Sequence, residues 1–224
     1  VIIRDLDRIK KEYGRKRRTA IENAEEIVWE EKKVEEMELY FLMDRFGYAK
    51  TIDKTAYERN REAADSEFRY GFSCMNTDKI CIFTDAGQMH TVKVLDIPFG
   101  KFRDKGTPID NLSNYSSAKE QMIYVGSMEM VKNSQMLFVT RSGMVKRVEG
   151  SEFDVVKRTI ASTKLADGDA LILAGPCDAP DSVVLQSREG YFLKFAKEEV
   201  PVQKKAAMGV RGMKLSGQDS LEHA

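Results

Sequence analysis

Phe138-Val139-Thr140-Arg141-Ser142-Gly143-Met144-Val145-Lys146 reads as a β-hairpin in nine residues. An apolar strand enters a polar turn, the turn closes on Gly, and a second apolar strand leaves it carrying a basic residue. Gly suits the closing position because it enters φ > 0 without a Cβ penalty. The unit returns as Leu42-Met43-Asp44-Arg45-Phe46-Gly47-Tyr48-Ala49-Lys50, as Ile82-Phe83-Thr84-Asp85-Ala86-Gly87, and as Leu185-Gln186-Ser187-Arg188-Glu189-Gly190-Tyr191-Phe192-Leu193-Lys194. The Gly-to-Gly steps are 40, 56 and 47 residues. Hairpins at periods of that size predict stacked β units, as in a propeller, and not one mixed domain. Such architectures usually present a surface to a partner, which turns the functional question from chemistry to binding.

A second marker accompanies the last three glycines. At 19, 16 and 19 residues beyond them begin Gly106-Thr107-Pro108-Ile109-Asp110-Asn111-Leu112, Thr159-Ile160-Ala161-Ser162-Thr163-Lys164-Leu165 and Gly209-Val210-Arg211-Gly212-Met213-Lys214-Leu215. These stretches are expected to end blades. Ahead of each stands a basic cluster: Lys101, Arg103 and Lys105; Lys157 and Arg158; Lys204 and Lys205. Charged residues line exposed loops in any protein, so one cluster means little. Recurrence at one point of the repeat predicts that they lie along one edge, which is what a polyanion needs.

The 224 residues allow one or two domains, and 42% hydrophobic with 9% aromatic content fits a folded chain. No apolar run approaches the ~18 residues of a membrane span, and the first residues do not read as a signal peptide. Cys74, Cys81 and Cys177 are odd in number and lack a CxxC spacing. With only His90 and His223 beside them, they read as reduced thiols of a cytoplasmic protein and not as a zinc site. Lys+Arg and Asp+Glu balance at 36 each, so no global field draws the chain to nucleic acid. Affinity for a polyanion would have to come from local placement and would depend strongly on salt.

The first residues differ in kind. Ile2, Ile3, Leu6, Ile9 and Tyr13 fall at helical spacing, predicting an amphipathic helix that stops at Gly14. Arg15-Lys16-Arg17-Arg18 follows, and Thr19-Ala20-Ile21-Glu22 fits a capping box opening a second helix, which the acidic stretch through Trp29 to Lys33 continues or follows as a linker. The expected organisation is a helical stub and linker over 1–35, then a mainly β domain of about four blades over 36–224. That length is too short for six blades. An open disc or a chain cut before its end are the two explanations, and the abrupt close at Ser220-Leu221-Glu222-His223-Ala224 favours the cut.

The segment Glu12-Tyr13-Gly14-Arg15-Lys16-Arg17-Arg18-Thr19 resembles the end of the coiled coil in the A subunits of bacterial type IIA DNA topoisomerases. The Gly47, Gly87, Gly143 and Gly190 turns resemble the blades of the C-terminal domain that follows it there. Gly106-Thr107-Pro108-Ile109 and the 209–215 stretch are similar to segments shared by gyrase and topoisomerase IV A subunits. The resemblance spans essentially the whole chain. It implies a β-pinwheel, a propeller-like disc whose basic rim binds and bends duplex DNA. Rim candidates are the Lys column Lys50, Lys146 (with Arg147) and Lys194, the three edge clusters, and Arg211 and Lys214. Arg59 and Arg61 join them from the stretch that matches a basic Gly-rich box, QRRGGKG, of gyrase A subunits. Here that stretch reads Tyr57-Glu58-Arg59-Asn60-Arg61-Glu62-Ala63-Ala64-Asp65, without the glycine pair and with added negative charge. This favours topoisomerase IV over a gyrase with a degenerate box.

By the same resemblance the cleavage tyrosine, ATP and Mg²⁺ belong to other parts of the parent enzyme, so no cofactor or metal is expected in this chain. The expected partners are double-stranded DNA, and an ATPase B subunit and second A subunit reached through the part preceding this segment, in the bacterial cytoplasm beside the nucleoid and away from membranes. Arg69-Tyr70-Gly71 lies among Phe68 and Phe72 and reads as packing. Gly209-Val210-Arg211-Gly212 lacks the helices that would make it a KH clamp, and Asp167-Gly168-Asp169 lacks further ligands. Met122, Met128, Met130 and Met136 read as core filler. A propeller platform for other proteins, favoured by the zero net charge, and a small-molecule enzyme with a central pocket are the readings from other classes.

Overall fold

All four turn glycines sit at hairpin tips with φ of +84, +71, +86 and +87 for Gly47, Gly87, Gly143 and Gly190. In each, the Gly amide bonds the carbonyl three residues back, as in Gly143 N to Thr140 O at 3.0 Å. The structure, a computed structural model, describes residues 2–16, 18–19, 35–178 and 182–224. It separates into two compact units, 1–34 and 35–224.

In the first unit α1 (Ile2–Tyr13) ends at Gly14, whose amide bonds Lys10 O at 2.9 Å. Its apolar stripe is exposed. Arg17, the second helix expected after Thr19 and the acidic stretch to Lys33 fall outside the described residues.

The second unit opens with β1 (Glu38–Asp44), β2 (Tyr48–Asp53), α2 (Lys54–Arg59), α3 (Arg61–Glu67) and β3 (Phe68–Met75). Then come β4 (Lys79–Thr84), β5 (Gln88–Lys93), β6 (Thr107–Pro108), α4 (Ile109–Leu112), β7 (Met122–Ser127) and α5 (Met128–Lys132). They are followed by β8 (Gln135–Thr140), β9 (Met144–Glu149), β10 (Thr159–Ala161), β11 (Leu171–Pro176), β12 (Ser182–Ser187), β13 (Phe192–Ala196), β14 (Val210–Arg211) and β15 (Leu221–His223). The strands form four antiparallel sheets in the orders β3-β1-β2-β6, β10-β5-β4-β7, β11-β8-β9-β14 and β13-β12-β15. These are blades 1 to 4.

The expected blade ends are blade crossings. β6 pairs with Tyr48 and Ala49 of blade 1, although it follows the hairpin of blade 2. β10 likewise returns to Gln88–His90 of blade 2, and β14 to Met144 and Val145 of blade 3. Each crossing segment then bonds the carbonyl of the older turn glycine: Ile109 N to Gly47 O at 2.9 Å, Ser162 N to Gly87 O at 2.8 Å, Gly212 N to Gly143 O at 2.8 Å. The Leu closing two of the stretches packs on that glycine. A Cβ on Gly87 would lie 3.0 Å from Leu165 Cδ1, and one on Gly143 would lie 2.7 Å from Met213 O.

Three apolar clusters fill the spaces between successive blades. Phe41, Met43, Ile80 and Ile82 share the first; Cys81, Phe83, Phe138 and Phe153 the second; Leu137, Val139, Val183 and Leu185 the third. An inner strand therefore buries both faces, odd residues against one neighbour and even residues against the other. This explains why β4 and β8 are continuously apolar instead of alternating. Phe83, Phe138 and Phe153 meet with ring centroids 5.3–5.9 Å apart. Tyr70 is half-buried against the first cluster and the three cysteines are buried and unpaired. Met128 and Met136 are core residues; Met130 is 42% exposed and is not.

Candidate nucleic-acid interface

The segment that leads into each crossing strand lies across the outer strand of the older blade. In blade 1, Thr51 N bonds Pro98 O and Gly100 N bonds Thr51 O, both at 3.0 Å. Blade 2 repeats the first contact as Thr91 N to Arg158 O at 2.8 Å. Blade 3 repeats both, as Arg147 N to Pro201 O at 3.0 Å and Gln203 N to Arg147 O at 2.8 Å. The three basic clusters thus ride on loops fixed at one register of successive blades.

On those loops Lys101, Arg103, Lys105, Lys157, Arg158 and Lys204 are exposed, and Lys205 is half-buried. Among the described residues, Lys101, Arg103, Lys105 and Lys157 form no ion pair. Lys105 Nζ sits 4.3 Å from the centroid of the Tyr48 ring. Arg158 is 3.7 Å from Asp96, a solvent-exposed pairing that stabilises little. Lys204 is 3.0 Å from Glu152, and Lys205 donates from Nζ to Glu152 O at 2.7 Å. Arg59 on α2, Arg61 on α3, Lys194 on β13, and Arg211 and Lys214 of the last crossing are exposed.

The Lys column requires correction. Lys50 and Lys146 are 2% and 1% exposed, so neither reaches a ligand at the rim. Lys50 Nζ donates to Phe102 O and to Asp104 O (2.6 Å for the latter) and faces the Phe68 ring at 4.8 Å. Lys146 Nζ donates to the carbonyls of Lys205 and Ala207 at 2.8 Å and of Lys204 at 3.3 Å. Burial drives both ammonium groups toward deprotonation: that of Lys50 is lowered against the opposing pull of Asp104, Glu67 and Asp44, that of Lys146 to about 8 with only Glu152 opposing. Arg147 is half-buried and held by Val200 O and Gln135 Oε1 at 2.8 and 3.0 Å, which also removes it from the rim. Lys194 is not the third member of the column. It stands opposite Val184, whereas the residue aligned with Lys50 and Lys146 is Leu193, opposite Leu185.

The true third member is His90, three residues after Gly87 as Lys50 follows Gly47 and Lys146 follows Gly143. His90 is 4% exposed, with Nδ1 3.0 Å from Thr159 Oγ1 and Nε2 2.8 Å from Glu120 Oε1. The constant step of three residues was the available signal, and a basic residue of a different type concealed it. Sequence reasoning also missed Arg45, Arg141 and Arg188, which stand exposed two residues before a turn glycine in three of the four hairpins.

The model of the DNA gyrase C-terminal domain, a β-propeller, matches residues 78–115, 134–178 and 181–224. The chain belongs to that family. Similar proteins include the DNA gyrase A subunits of Lawsonia intracellularis, 29% identical over 98% of this chain, and of Neisseria gonorrhoeae, 30% identical over 87%. The chain spans only 28% and 22% of their lengths. Among solved structures, the C-terminal domain of DNA topoisomerase IV superposes with a TM-score of 0.75 at 23% identity, covering 84% of this chain and 60% of that one. A DNA gyrase A C-terminal domain superposes at 0.51 and 18% identity over 83% and 63%. At these identities the superpositions speak for the fold of the propeller domain. No helix among the described residues is long and apolar enough to cross a membrane.

Proposed function

We propose that this propeller domain holds duplex DNA along its crossing loops and guides it for a type IIA topoisomerase of the topoisomerase IV kind. The observation that carries the reading is the recurrence of exposed cations on loops fixed at one register of three successive blades, with Lys101, Arg103, Lys105 and Lys157 outside any ion pair among the described residues and Lys204 paired with Glu152. Such a row neutralises phosphates without reading base edges. Bending a duplex site costs about 1–6 kcal/mol, and contacts spread over several blades offset that cost where one patch does not. Binding should therefore be sequence-tolerant and steeply salt-dependent.

Two observations bear on the kind of topoisomerase. Residues 57–65, which stand where gyrase A subunits carry the Gly-rich box, are taken up by α2 and α3, and Tyr57 stacks on Tyr40 at 3.8 Å. A tight phosphate-cradling turn uses glycine backbone that this helical stretch lacks. This supports the topoisomerase IV reading. The gyrase reading draws on the A subunits named above. In either reading the chain itself performs no bond chemistry, and an ATPase subunit and a second A subunit complete the enzyme in the cytoplasm with ATP and Mg²⁺ bound elsewhere.

The test is a topology assay on the full-length subunit reconstituted with its ATPase partner, starting from relaxed plasmid. Relaxation and unlinking without new supercoils supports topoisomerase IV. ATP-dependent negative supercoils identify a gyrase, and no topological activity overturns both.

A further inference from the structure

The two buried lysines end on the backbone of the same loops that carry the cations proposed to meet DNA. Lys50 Nζ is accepted by the carbonyls of residues 102 and 104. Those residues interleave with Lys101, Arg103 and Lys105, whose side chains are all exposed. With the carbonyls of 102 and 104 drawn inward and Phe102 packed edge-on to Phe68 at 5.9 Å, the odd-numbered side chains are left facing solvent. Lys146 does the same in blade 3, gathering the carbonyls of 204, 205 and 207. A buried ammonium is costly unless its protons are all bonded, and here the acceptors come from one short segment. Each loop also makes two backbone bonds to the outer strand, and the 201–209 loop is tied further to Glu152 through Lys204 and Lys205.

We propose that Lys50 and Lys146 are positioning residues, internal staples that shape the 98–106 and 201–209 loops so that their cations stand in register for phosphates. The proposal rests on the DNA-binding reading above. In blade 2 His90 grips Thr159 and Glu120 side chains, not loop carbonyls, and the 154–158 loop is tied instead by Lys79, which donates to Val155 O at 3.3 Å and pairs with Asp154 at 3.7 Å, and by Lys132, 3.3 Å from Asp154. Staple and contact are separate residue sets: the two staple lysines are buried, whereas the contact side chains are exposed apart from the half-buried Lys205.

The test uses the complete chain with K50M, K146M, and V139A as a purely structural control, since Val139 is buried on the opposite side of blade 3. Methionine keeps the apolar stem and removes the ammonium. Global stability is a poor gauge here, because removing a buried charge offsets the lost bonds. The readouts are amide exchange at Gly100, Gln203 and Ala207, and duplex binding as a function of salt. Each Met variant should speed exchange in its own loop about tenfold or more, a response expected from local opening. It should also weaken duplex binding roughly three- to tenfold at 0.1 M salt and lower the salt slope by about one, although no surface charge has changed. V139A should lower the unfolding midpoint and leave both readouts alone. Faster loop exchange with wild-type affinity and slope would overturn the positioning role, and unchanged exchange would overturn the staple itself. If the wild-type chain binds no duplex, the DNA reading falls, and the staple is then judged by exchange alone. Should K146M fail to fold, K50M in blade 1 decides independently.

Discussion

Blade 3 and blade 4 begin with similar hairpins and differ in what arrives afterwards. β14 crosses onto blade 3, seats Gly212 N on Gly143 O, and Lys146 is sealed beneath the 201–209 loop. On blade 4 β12 is the one described strand that pairs with β13, and Tyr191, Phe192, Leu193 and Lys194 are exposed. Val145 and Phe192 hold the same place two residues after the turn glycine, yet they are 2% and 67% exposed. A hairpin therefore sets only where a blade begins. The crossing segment decides which of its side chains become core and which stay available.

Replacing the two turn glycines should break the comparison most visibly. Gly143→Ala must carry a side chain at φ +86 and push it against Met213 O, whereas at Gly190 nothing lies within 4 Å of the new Cβ. Left-handed strain alone costs about 1–2 kcal/mol and forced overpacking about 1–3 more. Urea unfolding should show Gly143→Ala as the more damaging by about 1–3 kcal/mol. Equal losses would mean that the crossing does not load the turn. Next in size, Val145→Ala should cost about 2 kcal/mol while Phe192→Ala stays within about 0.5, because only the first side chain is covered.

Charge reversals sharpen the functional side of the contrast. Lys101→Glu with Lys105→Glu should lower the salt slope of duplex binding by about two or more and leave the unfolding midpoint nearly unchanged. A lone Lys194→Glu should move the slope by about one at most. A further contrast concerns pH. Lys146 has its ammonium lowered from 10.5 to about 8 in the folded chain. Between those values the unfolded chain holds a proton that the folded chain has released, so stability rises with pH across this window. K146M should lack that rise, which denaturant titrations at about pH 7.5 and 10 would detect as a difference between the two proteins.

Much of this was legible in the chain. The four turn glycines, the repeat lengths and the recurring basic clusters all follow from local chemistry, because φ > 0 at a hairpin tip selects Gly and a solvated loop admits Lys and Arg. The misreadings share one cause. Lys50, Lys146 and Arg147 look like surface cations on outer strands, although strand alternation turns neighbours such as Lys146 and Arg147 to opposite faces. Their burial is imposed by loops more than 50 residues ahead in sequence: Phe102 and Asp104 above Lys50, Lys204 to Ala207 above Lys146. His90 was hidden for a related reason, since its kinship with the two lysines lies in position and not in residue type.

The sequence by itself determined the hairpin unit, its count and the edge on which cations recur. Only the tertiary structure decided which sheet each crossing strand joins, and hence which basic residues hold the loops and which face outward. The physical reason is range. Turn chemistry and side-chain alternation act over a few residues and are written locally, whereas burial depends on what a distant segment lays over a strand.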